Sequence, residues 1–356
     1  MAYTTIDDPS AYFQVALYTG DGNATQAITN NGNSDLQPDW LWIKRRSDSE
    51  HHMVADSNRG AGKRLRSNSD DVEDDNGVTS FNTDGFTTLS SAVWNASSET
   101  YVAWQWKANG GTATATGSES GNNPAYSAQA NQTAGFSIIT YTGTGAEGDV
   151  THGLGGKPDW IITKVRNGNG DEPWPVWHKD MVDADADNGA YAYLNTTGQD
   201  QTTSVFYEGD AISSTVVAFK GGNANVNADG TNYVMYCFRG IQGYSKFGSY
   251  KGNGNTDGPF IYTGFQPAWI MIKRTDNTGS WLIFDNKRNG KNPDNDELEA
   301  NTTSEEVSND WLDILSNGFK IRNSAGYVNA SSAIYVYMAF AELPFVSSKG
   351  VPVTAR

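Results

Sequence analysis

Four histidines, one cysteine, an acidic loop and a few tryptophans are the side chains that could do chemistry in this chain of 356 residues. His51 and His52 share a loop, His152 lies near a turn and His178 ends a strand. None has a cysteine or second histidine at zinc-site spacing. His178 and Asp180 have the residue types of a proton relay, but a surface histidine is the simpler expectation. Cys237 is the single cysteine, so no intrachain disulfide forms; its place in an apolar strand predicts an inert, buried or half-buried thiol. In Asp183-Ala184-Asp185-Ala186-Asp187-Asn188-Gly189, alternate carboxylates could converge on a hard cation such as calcium. The stretch departs from a calcium loop at its sixth position, Asn188, and its twelfth, Leu194. A solvated acidic loop and no cofactor are the expectation, with Asp183, Asp185 and Asp187 as the only metal candidates. No nucleophile elbow or phosphate-binding loop occurs. Trp174, between Pro173 and Pro175, and Trp177 are the binding candidates, because exposed indoles stack on sugars or anchor protein contacts. Trp281, inside Trp281-Leu282-Ile283-Phe284, reads as core.

The elements that would position these residues come in threes. A proline-led aromatic strand appears as Pro38-Asp39-Trp40-Leu41-Trp42-Ile43-Lys44, Pro158-Asp159-Trp160-Ile161-Ile162-Thr163-Lys164 and Pro267-Ala268-Trp269-Ile270-Met271-Ile272-Lys273. Upstream of each lies Tyr18-Thr19-Gly20-Asp21-Gly22, Tyr141-Thr142-Gly143-Thr144-Gly145 or Tyr250-Lys251-Gly252-Asn253-Gly254. Each unit closes on Tyr101–Trp106, Tyr233–Phe238 or Tyr335–Phe340. Three landmarks in constant order indicate a triplication. Strands rich in aromatic residues, joined by Gly/Asn/Asp turns, indicate an all-β chain of three tandem antiparallel β-sandwiches or jelly rolls. The expected boundaries are 1–109, an irregular Gly/Ser/Thr/Ala-rich linker at 110–134, 135–240, and 241–356 with a tail. The proline-led strand, apolar on both faces, should be central. Val102, Trp104 and Trp106 should face the core of the first sandwich, with Gln105 opposite.

The formal charge of −16, from 25 basic and 41 acidic side chains, disfavours nucleic acid and anionic membranes as partners. Lys44-Arg45-Arg46 and Lys63-Arg64-Leu65-Arg66 form one local basic cluster, expected to be solvated. The N-terminus lacks the basic and apolar regions of a signal peptide, and no stretch is long and apolar enough to span a membrane. Synthesis in a cytoplasm is the expectation.

Gln37–Arg46, Asp56-Ser57-Asn58-Arg59-Gly60, Leu65-Arg66-Ser67-Asn68, Ser80–Phe86 and Tyr101–Lys107 together resemble a repeat of structural proteins from marine tailed bacteriophages. Tyr337–Val346 resembles the end of those proteins. The resemblance spans nearly the whole chain and is thinnest in the middle unit, which lacks Asp-x-x-Arg-Gly and Asp-Gly-Phe. It implies a virion component with no catalytic residues to carry over, and repeats similar in pattern to concanavalin-like or SPRY-like sandwiches. Other virion proteins, further copies of the chain in a homo-oligomer and a host-surface glycan are the expected partners. A tail fibre, head fibre or other adhesive appendage is the first expectation. A capsid decoration protein is the second, and a lectin or glycan hydrolase the third.

Overall fold

The computed structural model describes residues 2–89, 91–168, 172–181, 189–201, 206–289 and 292–353. Among them the regular structure is nearly all antiparallel strand, with one short α-helix at Ala92–Asn95 and one 3-10 turn at Pro9–Ala11. One four-strand arrangement occurs three times. An opening strand (Phe13–Thr19, Phe136–Thr142, Ser245–Lys251) pairs with a closing strand (Thr100–Trp106, Asn232–Phe238, Ile334–Pro344). The closing strand pairs in turn with the proline-led strand (Trp40–Arg45, Trp160–Val165, Phe265–Arg274). A following strand (Met53–Asp56, Pro175–His178, Trp281–Asp285) completes the set. Registers agree: Trp40 faces Trp106, Trp160 faces Phe238 and Trp269 faces Phe340.

The landmark residues have concrete local roles. Tyr18, Tyr141 and Tyr250 stack on Tyr101, Tyr233 and Tyr335 at 4.8, 4.9 and 4.9 Å, and their hydroxyls donate to the carbonyls of Trp94, Val226 and Val328. A Cβ on Gly20, Gly143 or Gly252 would overlap the carbonyl oxygen of Ala96, Ala228 or Ala330, so glycine is required there. The Oδ1 atoms of Asn95, Asn227 and Asn329 accept from the backbone N–H of Asp21, Thr144 and Asn253, which locks each turn.

Each repeat packs one face of its four strands on a private cluster: Leu41, Phe86 and Trp94 in the first, Ile161, Trp177 and Phe219 in the second, Ile270, Phe284 and Phe319 in the third. Smaller strand groups cover these clusters. In the third repeat they join the main sheet into eight strands through Asp294–Glu299. The opposite faces all enter one common core. It holds Trp40, Trp104 and Trp106, then Trp160 and Phe238, then Trp269 and Phe340. Trp40 lies 4.8 Å from Tyr236 and Trp106 lies 5.4 Å from Trp269.

Three expectations are corrected here. The repeats do not stand on their private clusters alone, because their largest rings meet one another in the common core. The closing strand is therefore buried on both faces: Gln105, like Trp104, has no exposed surface, and its amide donates to Asn30 Oδ1 at 2.6 Å. Residues 110–134 are not an irregular linker. Ala115–Gly117 and Ala125–Asn131 are strands, and the second pairs with Phe136–Thr142 over its whole length. Small, polar composition hid them, because Ala, Ser and Gln carry little strand signal of their own.

Candidate functional site

The binding candidates Trp174 and Trp177 are both buried, at 0% and 1% exposure, which corrects the exposure expected of them. Trp177 belongs to the private cluster of the second repeat. Trp174 crosses to the first repeat, where its Nε1 donates to the carbonyls of Arg66 and Ser69, both at 3.0 Å. Prolines on both sides suggested an exposed loop; in fact Pro175 starts a strand and Trp174 closes a seam. Asp183, Asp185 and Asp187 lie outside the described residues. Among the described residues no group of three His, Cys, Asp or Glu side chains comes together to hold a metal.

The remaining chemical candidates are interior. His52, His152 and His178 are buried, so the expected surface position of His178 is also corrected. Desolvation lowers their pKa values, for His152 to about 4 and for His178 to about 3. Burial pushes the Cys237 thiol up, which disfavours its thiolate. The basic cluster is not a solvated patch. Arg64 and Arg66 pair with Asp74, Arg66 also with Asp71, and Lys44 is buried.

Polar groups concentrate in the seams between repeats, and the seams run in a closed cycle. Lys164 of the second repeat donates to the Asp70 carbonyl of the first at 2.7 Å. Lys273 of the third donates to the Thr197 carbonyl of the second at 3.2 Å, and Lys44 of the first to the Thr303 carbonyl of the third at 3.3 Å. Burial holds all three ammonium groups down at about 8. Trp281 repeats the crossing of Trp174, donating to the Tyr193 carbonyl at 2.9 Å. The side chains of Asn68, Asn195 and Asn301 accept from the backbone N–H of His52, Trp174 and Trp281.

Two seams carry a buried ion network. Asp56 takes Arg59 at 2.5 Å and the hydroxyl of Tyr236, from the second repeat, at 2.7 Å. Asp285 takes Arg288 at 2.6 Å and the indole of Trp104, from the first repeat, at 2.9 Å. Glu73 and Glu306 extend these networks to Arg166 and Arg46 across the same seams. At the third seam the Asp position is His178 and the donor position is Met338. Acceptor and donor are lost together there, so no buried charge is stranded.

One cavity stands apart from the seams' hydrogen bonds. It measures about 260 Å³ and lies between the first and third repeats, lined by Phe13, Gln14, Gly32, Ala268, Lys287 and Glu342 among others. Ala268 occupies the place of Asp39 and Asp159 in the other repeats, each being the residue before the equivalent tryptophan.

A family model for a domain of unknown function, DUF7483, matches residues 8–344, from the approach to the first opening strand to the last residue of the last closing strand. No curated protein matches the chain, and no solved structure does. One model runs through all three repeats, as their common core leads one to expect, and the chain belongs to the DUF7483 domain family.

Proposed function

We propose that this chain is a non-enzymatic structural protein of a bacteriophage particle, built as three sandwich-like repeats and placed in an outward appendage such as a tail or head fibre. The observation that carries this reading is where the residues of the phage-like pattern go. The proline-led tryptophans, Asp56 and Arg59, Leu65 and Asn68, and Val102, Trp104 and Trp106 of the closing strand all serve the common core or the seams. A sequence signature spent on rigidity suits a load-bearing part better than a catalyst. Partners would meet exposed edges and loops, which vary without disturbing the core. Phe260 and Tyr262, 46% and 47% exposed on the edge strand Phe260–Tyr262, are suited to such contacts. Capsid decoration is the second reading within the same class.

The test is to locate the chain in purified particles by labelling and to count it by quantitative mass spectrometry. A few to a dozen copies at an appendage is the expected outcome. Hundreds of copies on the shell would favour decoration, and absence from particles would overturn the proposal. Release of sugars from host polysaccharide by the purified protein would overturn the non-enzymatic reading.

A further inference from the structure

Each opening strand gives one edge to its closing strand, and the repeats differ in what meets the other edge. In the first repeat, Lys107 N–H donates to the Tyr12 carbonyl at 3.0 Å and Gly20 N–H to the Glu99 carbonyl at 2.8 Å, one at each end of the ladder. Antiparallel pairing alternates, so Gln14, Ala16 and Tyr18 turn their backbone groups to the closing strand, and Val15 and Leu17 turn theirs away. In the second repeat the equivalents of Val15 and Leu17 are Ile138 and Thr140, and they pair with Gln129 and Ser127 of the strand Ala125–Asn131. In the first repeat nothing among the described residues hydrogen-bonds to the backbone of Val15 or Leu17. Residues 2–8, which stand where 125–131 stand in the second repeat, run across to the third instead. There the Tyr3 hydroxyl donates to the Gly264 carbonyl at 2.7 Å, and Asp7 accepts from Ser348 N–H at 2.6 Å.

The space beside this bare edge has the walls of the space that holds Ala125–Asn131. Around that strand, Asn58 donates to the Ser127 carbonyl at 3.1 Å and Asn109 N–H donates to Gln129 Oε1 at 3.2 Å. A Cβ on Gly153 would lie 2.9 Å from that of Ala130. Counted from the equivalent tryptophans and closing strands, these three wall residues correspond to Lys287, Leu343 and Asn33. All three line the cavity of about 260 Å³ between the first and third repeats, together with Val15. The cavity therefore lies where the second repeat keeps a strand. Beyond it the edge runs on to Leu17, which is 41% exposed. An unpaired edge of this kind is a template for a strand from another chain.

We infer that the opening strand of the first repeat takes an extended segment of a different protein as its next, antiparallel strand, in the place that Ala125–Asn131 fills in the second repeat. The partner's chemistry follows from that internal precedent. It has small side chains at the places of Ala128 and Ala130 and an amide at that of Gln129. At the place of Ser127 it has an apolar side chain, because Leu17 stands opposite where the second repeat has Thr140. It needs no charge, since Lys287 and Glu342 in the wall already pair at 3.3 Å. This inference does not depend on the particle reading.

Titration of isotope-labelled full-length protein with a capped peptide, Ala-Tyr-Leu-Ala-Gln-Ala-Asn, tests it. The peptide copies residues 125–131 with leucine at the place of Ser127. The backbone amide signals of Val15 and Leu17 should shift saturably, and their hydrogen exchange should slow about tenfold or more at peptide excess. N-methylation of the peptide's glutamine, whose N–H meets the Val15 carbonyl, should weaken binding about tenfold or more. N-methylation of the alanine before it should change binding less than about twofold, because that residue's backbone faces away from the edge. In the second repeat Ala128 does face away, its carbonyl accepting from Thr114 N–H at 2.8 Å. No response at Val15 and Leu17, or equal losses from the two methylations, would overturn the inference. Protection of those two amides that grows with protein concentration and needs no peptide would assign the edge to a second copy of this chain, and would overturn the assignment to a different protein.

Discussion

The indole nitrogens of the common core divide into two kinds. Trp104 Nε1 donates to Asp285, whereas the indole N–H groups of Trp40, Trp106, Trp160 and Trp269 have no hydrogen-bond partner and lie among other rings. Trp104→Phe should therefore cost about 1.5–3 kcal/mol more than Trp106→Phe, because it removes a hydrogen bond to a buried carboxylate as well as volume. Urea midpoints of the two variants compare them, and equal losses would deny the seam bond its importance. Acid acts through the buried histidines. A histidine with a lowered folded pKa binds its proton only in the unfolded chain, so its contribution is intact above about pH 6.5 and is lost as pH falls. For His178, held down at about 3 by burial, the loss between pH 7 and pH 5 is about 2 kcal/mol. Glu297 and Asp200, raised by burial to about 7 and about 6, act in the opposite sense over the same range. His178→Gln should therefore flatten the fall in stability between pH 7 and pH 5 relative to wild type; parallel curves would remove His178 from the acid response.

At the scale of the element, the glycine before each turn is the sharpest constraint. Gly20→Ala, Gly143→Ala and Gly252→Ala should each destabilise the protein by about 1–3 kcal/mol, since the new Cβ meets backbone that cannot move aside. Gly62→Ala, with open space around its site, is the control and should be near neutral in the same thermal melts. These turns and the proline-led strands were legible in the sequence because period, proline and aromatic spacing are local signals. The strands at 115–117 and 125–131 were not, because Ala, Ser and Gln carry little strand signal and pairing onto Phe136–Thr142 supplied the rest. The burial of Trp174 was equally out of reach, since its partners, Arg66 and Ser69, lie over 100 residues away in another repeat. Ala268 was visible in the sequence as a departure from Asp.

Across the whole molecule, a common core and cyclic seams make the repeats interdependent. Calorimetry should record one transition with equal calorimetric and van't Hoff enthalpies rather than three separate melts. Trp174→Ala, which removes a buried ring from the seam between the first and second repeats, should lower that single transition by the equivalent of about 3–5 kcal/mol. Three resolved transitions, of which Trp174→Ala moved only one, would mean that the repeats fold separately. A chain truncated after residue 240 should fail to give a sharp melt, because it bares Trp104, Trp106 and Trp160 on the side where Trp269, Trp281 and Phe340 pack.

The closed cycle also brings the two ends of the described chain together. Asp7 accepts from the backbone N–H of Ser348 at 2.6 Å and from its hydroxyl, and Phe13 stacks on Phe340 at 5.3 Å. A circular permutant, with the old ends joined by a short flexible linker and new ends opened near Gly121, where added atoms meet open space, should fold to the same core. Order along the chain would then be a matter of covalent bookkeeping, with each repeat still finding the same two neighbours.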